Sequence, residues 1–239
     1  MRRFYREVTV AVEHDGHQVL LDGRPVRTPA RRHLRAPSAE LARAIAAEWA
    51  GQEEQIRPAA MPLTRMATTA LDRMPSQREA AIDQIADYAG TDLLCYRAAE
   101  PLELVQRQRE RWQPLLDWAA ESYRAKLNLT TGLLPVAQPE PALQRLRARV
   151  EQLRDWPLIG LHAATTALGS LVLGLALLED RIDPEAAFTA SLLDELFEIE
   201  RWGEDPESAR RHVALRREVE AAATFIAGSR ITPAPTLPH

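Results

Sequence analysis

Cysteine, lysine and glycine are all scarce in this 239-residue chain. The single cysteine, Cys95, excludes a disulfide framework and any zinc or iron–sulfur site that needs several cysteines. Ten glycines disfavour a glycine-rich phosphate loop, and neither the dinucleotide nor the P-loop fingerprint occurs. No H-x-x-x-H or E-x-x-H pair is present, so we expect neither a metal nor a cofactor. Aromatic residues make up only 5%, which predicts an aliphatic core.

The charge of the chain is small overall but unevenly distributed. A net charge of −4 gives no general bias towards nucleic acid or membrane surfaces. Residues 1–37 hold eight arginines and four acids, a net of +4, whereas residues 179–207 hold eleven acids and two arginines, a net of −9. This asymmetry suits recognition of a charged partner, contact between the two regions, or simply a solvated acidic helix face.

The first 30 residues have the pattern of β-strands. Valines at positions 8, 10 and 12 alternate with polar or small residues, which is the signature of a half-buried strand. Asp-Gly pairs at 15–16 and 22–23 predict two tight hairpin turns. Pro25 places the third strand at an edge, because proline cannot donate to a strand ladder.

Helical periodicity replaces this pattern from about residue 38. Ser38 is a helix cap before a stripe of Leu41, Ile45 and Trp49, which predicts that Trp49 lies in the core. A capping box at Ser76–Glu79 predicts a helix that Gly90 ends. Pro101 predicts the start of a further helix, which Pro114 breaks or kinks. Helices are also predicted to start near Pro141 and Pro157 and after the caps Asp183 and Asp205, and Gly228 is the predicted end of the last one.

Residues 158–178 form an uncharged stretch of 21 residues. About 20 apolar residues suffice to span a bilayer. This stretch contains His162 and three hydroxyl side chains and has no aromatic belt, so it predicts a helix buried by its neighbours. A membrane-associated factor remains the alternative. No apolar stretch near the start resembles a signal peptide, which predicts a cytosolic or an already processed protein.

The order of these elements predicts an α+β protein in which a small β-hairpin and α region precedes a mainly helical bundle. At about 100–200 residues per domain, the length allows one large domain or two small ones. The pattern is interrupted near residue 98. We therefore predict an N-terminal α+β domain over 1–98, a C-terminal helical domain over 99–228 and a disordered tail over 229–239.

The acidic region contains the most interesting surface candidates. At 100° per residue, Asp194 and Glu198 share one hydrophilic face of a helix with Arg201 and Asp205. Glu195 instead lies near Trp202, one heptad on, at the edge of an apolar face formed by Phe188, Leu192, Leu196 and Ile199. A carboxylate beside tryptophan is suited to anchor an arginine or backbone amides of a partner. The alternative is an ordinary surface acid with a chance aromatic neighbour.

Catalysis is the rival interpretation. Cys95 with His162 as its base, or the carboxylates of residues 194–198, would serve a small-molecule enzyme. A lone cysteine between leucine and tyrosine is more typical of a small buried hydrophobic residue. His162 in an apolar stretch is more typical of a core histidine bonded to a backbone carbonyl.

Several stretches together resemble one family, the ATP12 chaperones of F1-ATPase assembly, in their α-proteobacterial form. The match runs from about residue 3 to 227, and its order and spacing are more specific than any single motif. The matching stretches are RFY at 3–5, LDGRPVRTP at 21–29, EW at 48–49, MPLTR at 61–65, GTDLLCYR at 90–97, PLLDW at 114–118, GSLVL at 169–173 and IERWG at 199–203.

The resemblance implies an orthogonal helical bundle after the α+β region, no catalysis, and binding of the free F1 α subunit until β subunits arrive. It implies partner-binding roles for Asp194, Glu195, Glu198 and Trp202. Structural roles are implied for four further motif or core positions: Trp49, Arg65 (which we expect to pair with an acid), Asp92 and His162.

Two residues depart from the family pattern, since Glu198 stands where glutamine is expected and Leu192 where arginine is expected. Both changes make this helix more negative than the family pattern, which bears on partner preference. The mitochondrial presequence of eukaryotic members is also missing. We therefore expect a bacterial cytoplasmic monomer, or a matrix protein if the chain is a processed eukaryotic form, with no nucleic-acid partner and no stable membrane insertion.

Overall fold

The computed structural model describes residues 1–14, 16–132 and 134–230. These residues form a small antiparallel sheet followed by helices, which confirms the predicted α+β class. The helices are α1 (Ala39–Ala50), α2 (Pro62–Asp72), α3 (Met74–Asp87), α4 (Leu102–Tyr123), α5 (Glu140–Glu151), α6 (Asp155–Leu168), α7 (Leu171–Leu178), α8 (Pro184–Ser191), α9 (Leu193–Trp202) and α10 (Pro206–Ser229).

The sheet is built around β2. Strands β1 (Val8–Glu13) and β2 (Gly16–Leu21) pair antiparallel, with Val10 opposite Val19. The short strands β3 (Arg24–Pro25) and β4 (Arg35–Ala36) also pair with β2, so Pro25 lies on an edge strand as predicted. A second, parallel pair joins β5 (Tyr96–Arg97) to β6 (Thr130–Thr131).

The turn between β2 and β3 is the second predicted hairpin turn. Asp22 and Gly23 both have positive φ, at 48° and 75°, as a tight hairpin requires. The carboxylate of Asp22 accepts hydrogen bonds from the backbone N–H groups of Arg6 and Glu7. This contact fixes the N-terminal segment against the turn. Part of the first predicted turn lies outside the described residues.

Helix α1 packs one face on the sheet and another on α10. Its start is the predicted one, since the Ser38 hydroxyl accepts from the N–H of Leu41 at 3.2 Å. Leu41 and Ile45 are fully buried. A Cβ added to Gly228 of α10 would lie only 2.7 Å from that of Leu41, so glycine is needed for this approach. Gly228 therefore serves helix packing and does not end the helix, which continues to Ser229.

The uncharged stretch 158–178 is buried, as predicted, but it forms two helices. Gly169 ends α6 with a left-handed backbone, φ 66°. Ser170 then caps α7, its hydroxyl accepting from the N–H of Leu173 at 3.0 Å. All of α7 is buried, because other helices surround it. In the described parts of the chain, no helix is both long and apolar enough to cross a membrane.

Several predicted boundaries differ from the structure. The Ser76 capping box is wrong, because α3 already begins at Met74 and the Ser76 hydroxyl donates to the carbonyl of Arg73. Helix α6 begins at Asp155, two residues before Pro157. Helix α4 continues through Pro114 and does not end there.

The predicted domain boundary at residue 98 stays a prediction. Strand pairing between β5 and β6 crosses it, and so do packing contacts of α1 and α2 with α10. Of the predicted disordered tail, residues 231–239 lie outside the described part, while Ser229 still belongs to α10.

Candidate functional site

Helix α9 carries the four residues that the sequence predicts to bind a partner. It starts afresh at Leu193, because Leu192 leaves the helical conformation with φ −109° and ψ 17°. The break changes the buried face, so that Leu193 and Phe197 are buried, whereas Leu196 and Ile199 are only half-buried. The predicted apolar face assumed one continuous helix and is therefore wrong from residue 192 onward.

Asp194 and Glu198 lie on one face of α9, where Arg97 attracts the carboxylate of Asp194 without forming an ion pair with it. Asp194 accepts a hydrogen bond from Nε2 of Gln108 at 2.7 Å, and Gln108 is held fully buried on α4. Burial raises the pKa of Asp194, and the neighbouring Glu198 carboxylate raises it further. Across the described ranges, neither of these acids forms an ion pair. Both carboxylates are therefore available to a basic group on a partner.

Glu195 lies in a different environment, between two basic side chains of α10. Its Oε1 contacts the guanidinium of Arg211 and lies 3.0 Å from Nε2 of His212. The latter contact is an ion-pair distance without good hydrogen-bond alignment. The other ring nitrogen of His212 lies 2.7 Å from Glu204. Glu195 thus joins α9 to α10, a role that the sequence pattern did not reveal.

Trp202 is the most exposed large side chain of this region, at 85%. It ends α9, directly before Gly203, whose φ is 85°. The adjacent Arg201 forms an ion pair of 2.9 Å with Glu103 at the start of α4. That ion pair joins the end of α9 to the start of α4, whose Leu102 is itself 83% exposed. Two large apolar side chains, Trp202 and Leu102, are therefore exposed where the end of α9 is joined to the start of α4. We call these two residues, together with Asp194, Glu195 and Glu198, the α9 surface.

Most of the other acids in 179–207 are neutralised within the chain. Asp183 and Asp205 cap α8 and α10 as predicted, with Asp183 accepting from the N–H of Ala186 and Asp205 from the N–H groups of Glu207 and Ser208. The further ion pairs are Glu179 with Arg149, Asp180 with Arg230, Glu185 with Arg216 and Glu200 with Arg107. These arginines come from α4, α5 and α10. The net charge of −9 over residues 179–207 therefore overstates the unpaired negative charge of this segment.

The Glu48-Trp49 pair has a local structural role. Both carboxylate oxygens of Glu48 accept from the N-terminus of α2, at 2.6 Å from the N–H of Leu63 and 2.8 Å from that of Thr64. Trp49 packs against Tyr5, with ring centroids 5.7 Å apart, and is partly buried beside the core. The sequence predicted Trp49 in the core itself, but its outer edge reaches the surface.

Arg65 forms the predicted ion pair with an acid. Its guanidinium lies 3.0 Å from the carboxylate of Glu218, which joins α2 to α10. Both side chains are about half exposed, at 49% and 46%. An exposed pair of this kind contributes at most about 1 kcal/mol to stability.

Asp92 is a fully buried carboxylate at the N-terminus of α7. It accepts hydrogen bonds from the Ser170 hydroxyl at 2.7 Å, the N–H of Val172 at 3.0 Å and the N–H of Leu94 at 3.1 Å. A helix N-terminus favours negative charge. Burial nevertheless raises the pKa of Asp92 to about 6, because desolvation outweighs the three donors.

This shift predicts a pH dependence of stability. The folded state holds the Asp92 proton more tightly than the unfolded chain, whose pKa is near 3.8. The resulting stabilisation is complete below pH 3.8 and is lost as the pH rises through about 6. Relative to Asp92→Asn, the free energy of unfolding of the unmodified protein should fall by about 2 kcal/mol between pH 4 and pH 7.

Urea unfolding of both proteins across this pH range measures the difference. If the unmodified protein instead gained stability relative to Asp92→Asn as the pH rises, the ionised carboxylate would be the stabilising form. If the difference in free energy of unfolding stayed constant, Asp92 would not titrate in this pH range.

The surroundings of Cys95 and His162 do not activate a thiol nucleophile. Cys95 is fully buried, and burial with the neighbouring Asp92 raises the pKa of its thiol to about 12, which disfavours the thiolate. His162 is half-buried, so its pKa is lowered, and its Nε2 lies 3.3 Å from Oε1 of Gln84. The predicted bond of His162 to a backbone carbonyl is therefore wrong. No cluster of metal-ligating side chains is found in the described segments.

Sequence reasoning missed three residues of the α9 surface and its support. Gln108 interrupts the apolar stripe of α4, between Leu104 and Trp112, and a buried polar side chain in such a stripe is a usable signal. Arg211 and His212 carry no comparable signal, because their pairing with Glu195 depends on the angle between two helices.

Exposed apolar side chains thus occur on the same surface as acids that form no ion pair, a combination that protein-binding surfaces often have. The family model for the ATP12 chaperone protein matches residues 2–120. The solved structure of Atp12 from Paracoccus denitrificans is 44% identical, with a TM-score of 0.86, covering 96% of this chain and 98% of that one.

Two further relatives point to the same family. A solved protein from Agrobacterium tumefaciens, described as a chaperone, is 38% identical with a TM-score of 0.89, covering 96% of this chain and 86% of the other. The mitochondrial protein atp12 of Schizosaccharomyces pombe is 23% identical over 214 residues, 84% of this chain and 74% of that protein. This chain belongs to the ATP12 family of chaperone proteins.

Proposed function

We propose that this protein is an assembly chaperone for the F1 sector of ATP synthase, and that its client is the unassembled α subunit. Membership of the ATP12 chaperone family supports the general role. The resemblance of the motifs supports the specific client. An unassembled subunit exposes the apolar surface that its neighbour later covers, and such surface aggregates unless it is masked.

The observation that carries this proposal is the exposure of Trp202, at 85%, on the helix that also carries Asp194 and Glu198, which form no ion pair within the described residues. Trp202 and Leu102 cover apolar surface on the client. Asp194 and Glu198 receive arginines or backbone amides at its edge, where charge-assisted hydrogen bonds add specificity. The patch is small, so the complex is weak enough for an incoming β subunit to displace the chaperone.

The remaining parts of the proposal concern state and place. We propose a monomer, because the α9 surface needs no second copy of the chain to be complete. We place it in the bacterial cytoplasm, or in the mitochondrial matrix for a processed eukaryotic form. We propose no nucleic-acid partner, no membrane insertion and no catalytic step.

Co-purification tests the proposal. The tagged protein, expressed with F1 α and β subunits, should retain α, and added β should release it. Trp202→Ala should weaken binding of α at least about tenfold, because exposed tryptophans at interface centres are frequent hot spots. Affinity is measured by interferometry with immobilised chaperone.

Val12→Ala is the matched control, since Val12 is 80% exposed but lies on the sheet. It should bind α as the unmodified protein does. Recovery of β without α would contradict the choice of client, and recovery of no F1 subunit would contradict the function. Equal losses in Trp202→Ala and Val12→Ala would contradict the site.

A further inference from the structure

A concave groove lies on the N-terminal sheet, far along the chain from the α9 surface. It encloses about 550 Å³ and is formed by residues from the N-terminal segment, the β2–β3 hairpin and α1. Its floor is apolar, consisting of Tyr5, Leu21, Val26 and Trp49. Pockets of this volume commonly hold a few side chains of a bound ligand. We call it the Phe4 groove, after the side chain at its rim.

Three aromatic rings of the groove contact one another in a row, and the outermost ring is exposed to solvent. Phe4 meets Tyr5 edge to face, with centroids 5.3 Å apart, and Tyr5 meets Trp49 in the same way. Tyr5 is buried and its hydroxyl donates to the carbonyl of Trp49 at 2.7 Å. Phe4 is 64% exposed, although its neighbours are packed. An exposed phenylalanine on a fixed aromatic support is a preorganised contact for a partner.

The indole of Trp49 is the second unusual feature of the groove. Its Nε1 is buried, yet within the described residues it has no hydrogen-bond partner. Buried donors are nearly always paired in native proteins. A carbonyl or carboxylate oxygen of a bound segment would pair with this donor only after the indole ring shifts, because the atom is buried in the free protein.

Basic side chains outnumber acidic ones at the rim. Arg24 and Arg27 line the groove and are both exposed. Asp22 is the one acid among the described lining residues, and it is already occupied by the N–H groups of Arg6 and Glu7. The surrounding segment 1–37 has a net charge of +4. The groove therefore favours an acidic occupant.

We propose that the Phe4 groove binds an extended segment of a partner protein in which an aromatic or long aliphatic side chain is flanked by acidic residues. The apolar side chain fills the floor against Tyr5 and Trp49, and the acids pair with Arg24 and Arg27. Recognition proceeds through side chains and not through strand addition at β3, because Pro25 has no N–H to offer. This proposal does not depend on the identity of the client of the α9 surface.

Two other occupants fit less well. Residues 231–239 of this chain, which follow the described part, contain no acidic side chain. Single-stranded nucleic acid also uses aromatic and basic groups, but it needs a continuous basic path, whereas the groove offers two arginines on a chain of net charge −4.

Fluorescence anisotropy with the full-length protein tests the proposal. The probe is a fluorescein-labelled peptide, Gly-Asp-Glu-Asp-Phe-Leu-Glu-Asp-Glu-Gly, and the matched probe carries lysine at every acidic position. We expect the acidic peptide to bind and the lysine peptide not to. The double variant R24E/R27E and the single variant Phe4→Ala should each weaken binding at least about tenfold.

Controls separate the groove from general charge and from misfolding. Arg43→Glu reverses an exposed charge on α1 outside the groove and should bind as the unmodified protein does. If the double variant proves unstable, Arg24→Glu alone replaces it, because the Arg24 side chain makes no described hydrogen bond. This single variant should weaken binding of the acidic peptide in part. In a ¹⁵N-labelled sample the indole N–H of Trp49, assigned by its loss in Trp49→Phe, should shift when the acidic peptide is added.

Three results would overturn the proposal. They are equal binding of the acidic and lysine peptides, unchanged binding by R24E/R27E or Phe4→Ala, and shifts of other indoles without a shift of Trp49. Octauridylate and the unlabelled peptide are compared as competitors of the labelled peptide. If octauridylate displaced it at the lower concentration, the groove would be assigned to nucleic acid. Peptide binding should be unaffected by Trp202→Ala, so failure here and failure of the chaperone function are distinguishable.

Discussion

Replacing Asp92 with alanine is expected to lower the free energy of unfolding at pH 7 by about 3 kcal/mol. The change leaves the N–H groups of Leu94 and Val172 and the hydroxyl of Ser170 buried without their acceptor. Each orphaned donor costs about 1–3 kcal/mol. The loss is offset in part, because the protein no longer buries a charge whose pKa is raised to about 6.

The effect extends beyond one hydrogen bond, because the three donors belong to two parts of the fold. Ser170 and Val172 form the start of α7, whereas Leu94 lies in the turn before β5. The Ser170 hydroxyl also accepts from the N–H of Leu173, so losing Asp92 frees the cap of the most buried helix. The result should appear as a lower urea midpoint with an unchanged slope.

Asp87→Ala is the matched control, because Asp87 is an exposed aspartate shortly before Asp92 in the chain. Its free energy of unfolding should stay within about 0.5 kcal/mol of the unmodified protein. A loss below 1 kcal/mol in Asp92→Ala would mean that water or backbone movement satisfies the three donors. The carboxylate would then not be the connection between the two segments.

The parts of the fold that depend on local sequence could be predicted. Ser38, Asp183 and Asp205 each cap the helix that follows, because a short polar side chain reaches the N–H two or three residues on. The Asp22–Gly23 turn could be predicted for the same reason, since left-handed backbone favours these residues.

A local signal also marks the division of 158–178 into two helices. Gly169 followed by Ser170 combines a helix stop with a helix cap, and this signal was hidden by the apolar residues around it. Asp92 is different, because its partners lie 78 and 80 residues away. Only the assembled fold brings them together.

The candidate site likewise combines features that the local sequence predicts with features that depend on the assembled fold. Exposure of Trp202 and the break at Leu192 follow from the backbone of α9 and its neighbours, not from periodicity alone. The acid count of 179–207 predicted a negative surface, but pairing with arginines of α4, α5 and α10 depends on helix packing. Charge sums along a sequence therefore do not locate free charge on a folded protein.

Reversing the charge of Glu195 is expected to abolish most client binding, by about a hundredfold. Glu195→Lys would place a third basic group beside Arg211 and His212, where a carboxylate now lies. It would also remove an acid from the α9 surface. Both effects weaken the complex, so affinity for the α subunit measured by interferometry should fall while the far-ultraviolet circular dichroism stays unchanged. Glu220→Lys, an exposed acid on α10, should bind normally.

The single variant cannot tell a direct contact from a positioning role, because Glu195 also joins α9 to α10. The double variant Glu195→Lys with Arg211→Glu makes the distinction, since it restores an ion pair with its signs exchanged. The side chain of Glu195 is 28% exposed, so a partner can reach part of it although its Oε1 contacts Arg211 and His212. We therefore expect the exchange to restore stability but not affinity. Restored affinity would show that Glu195 acts by holding α9 in place, and the client contact would then fall to Asp194, Glu198 and Trp202.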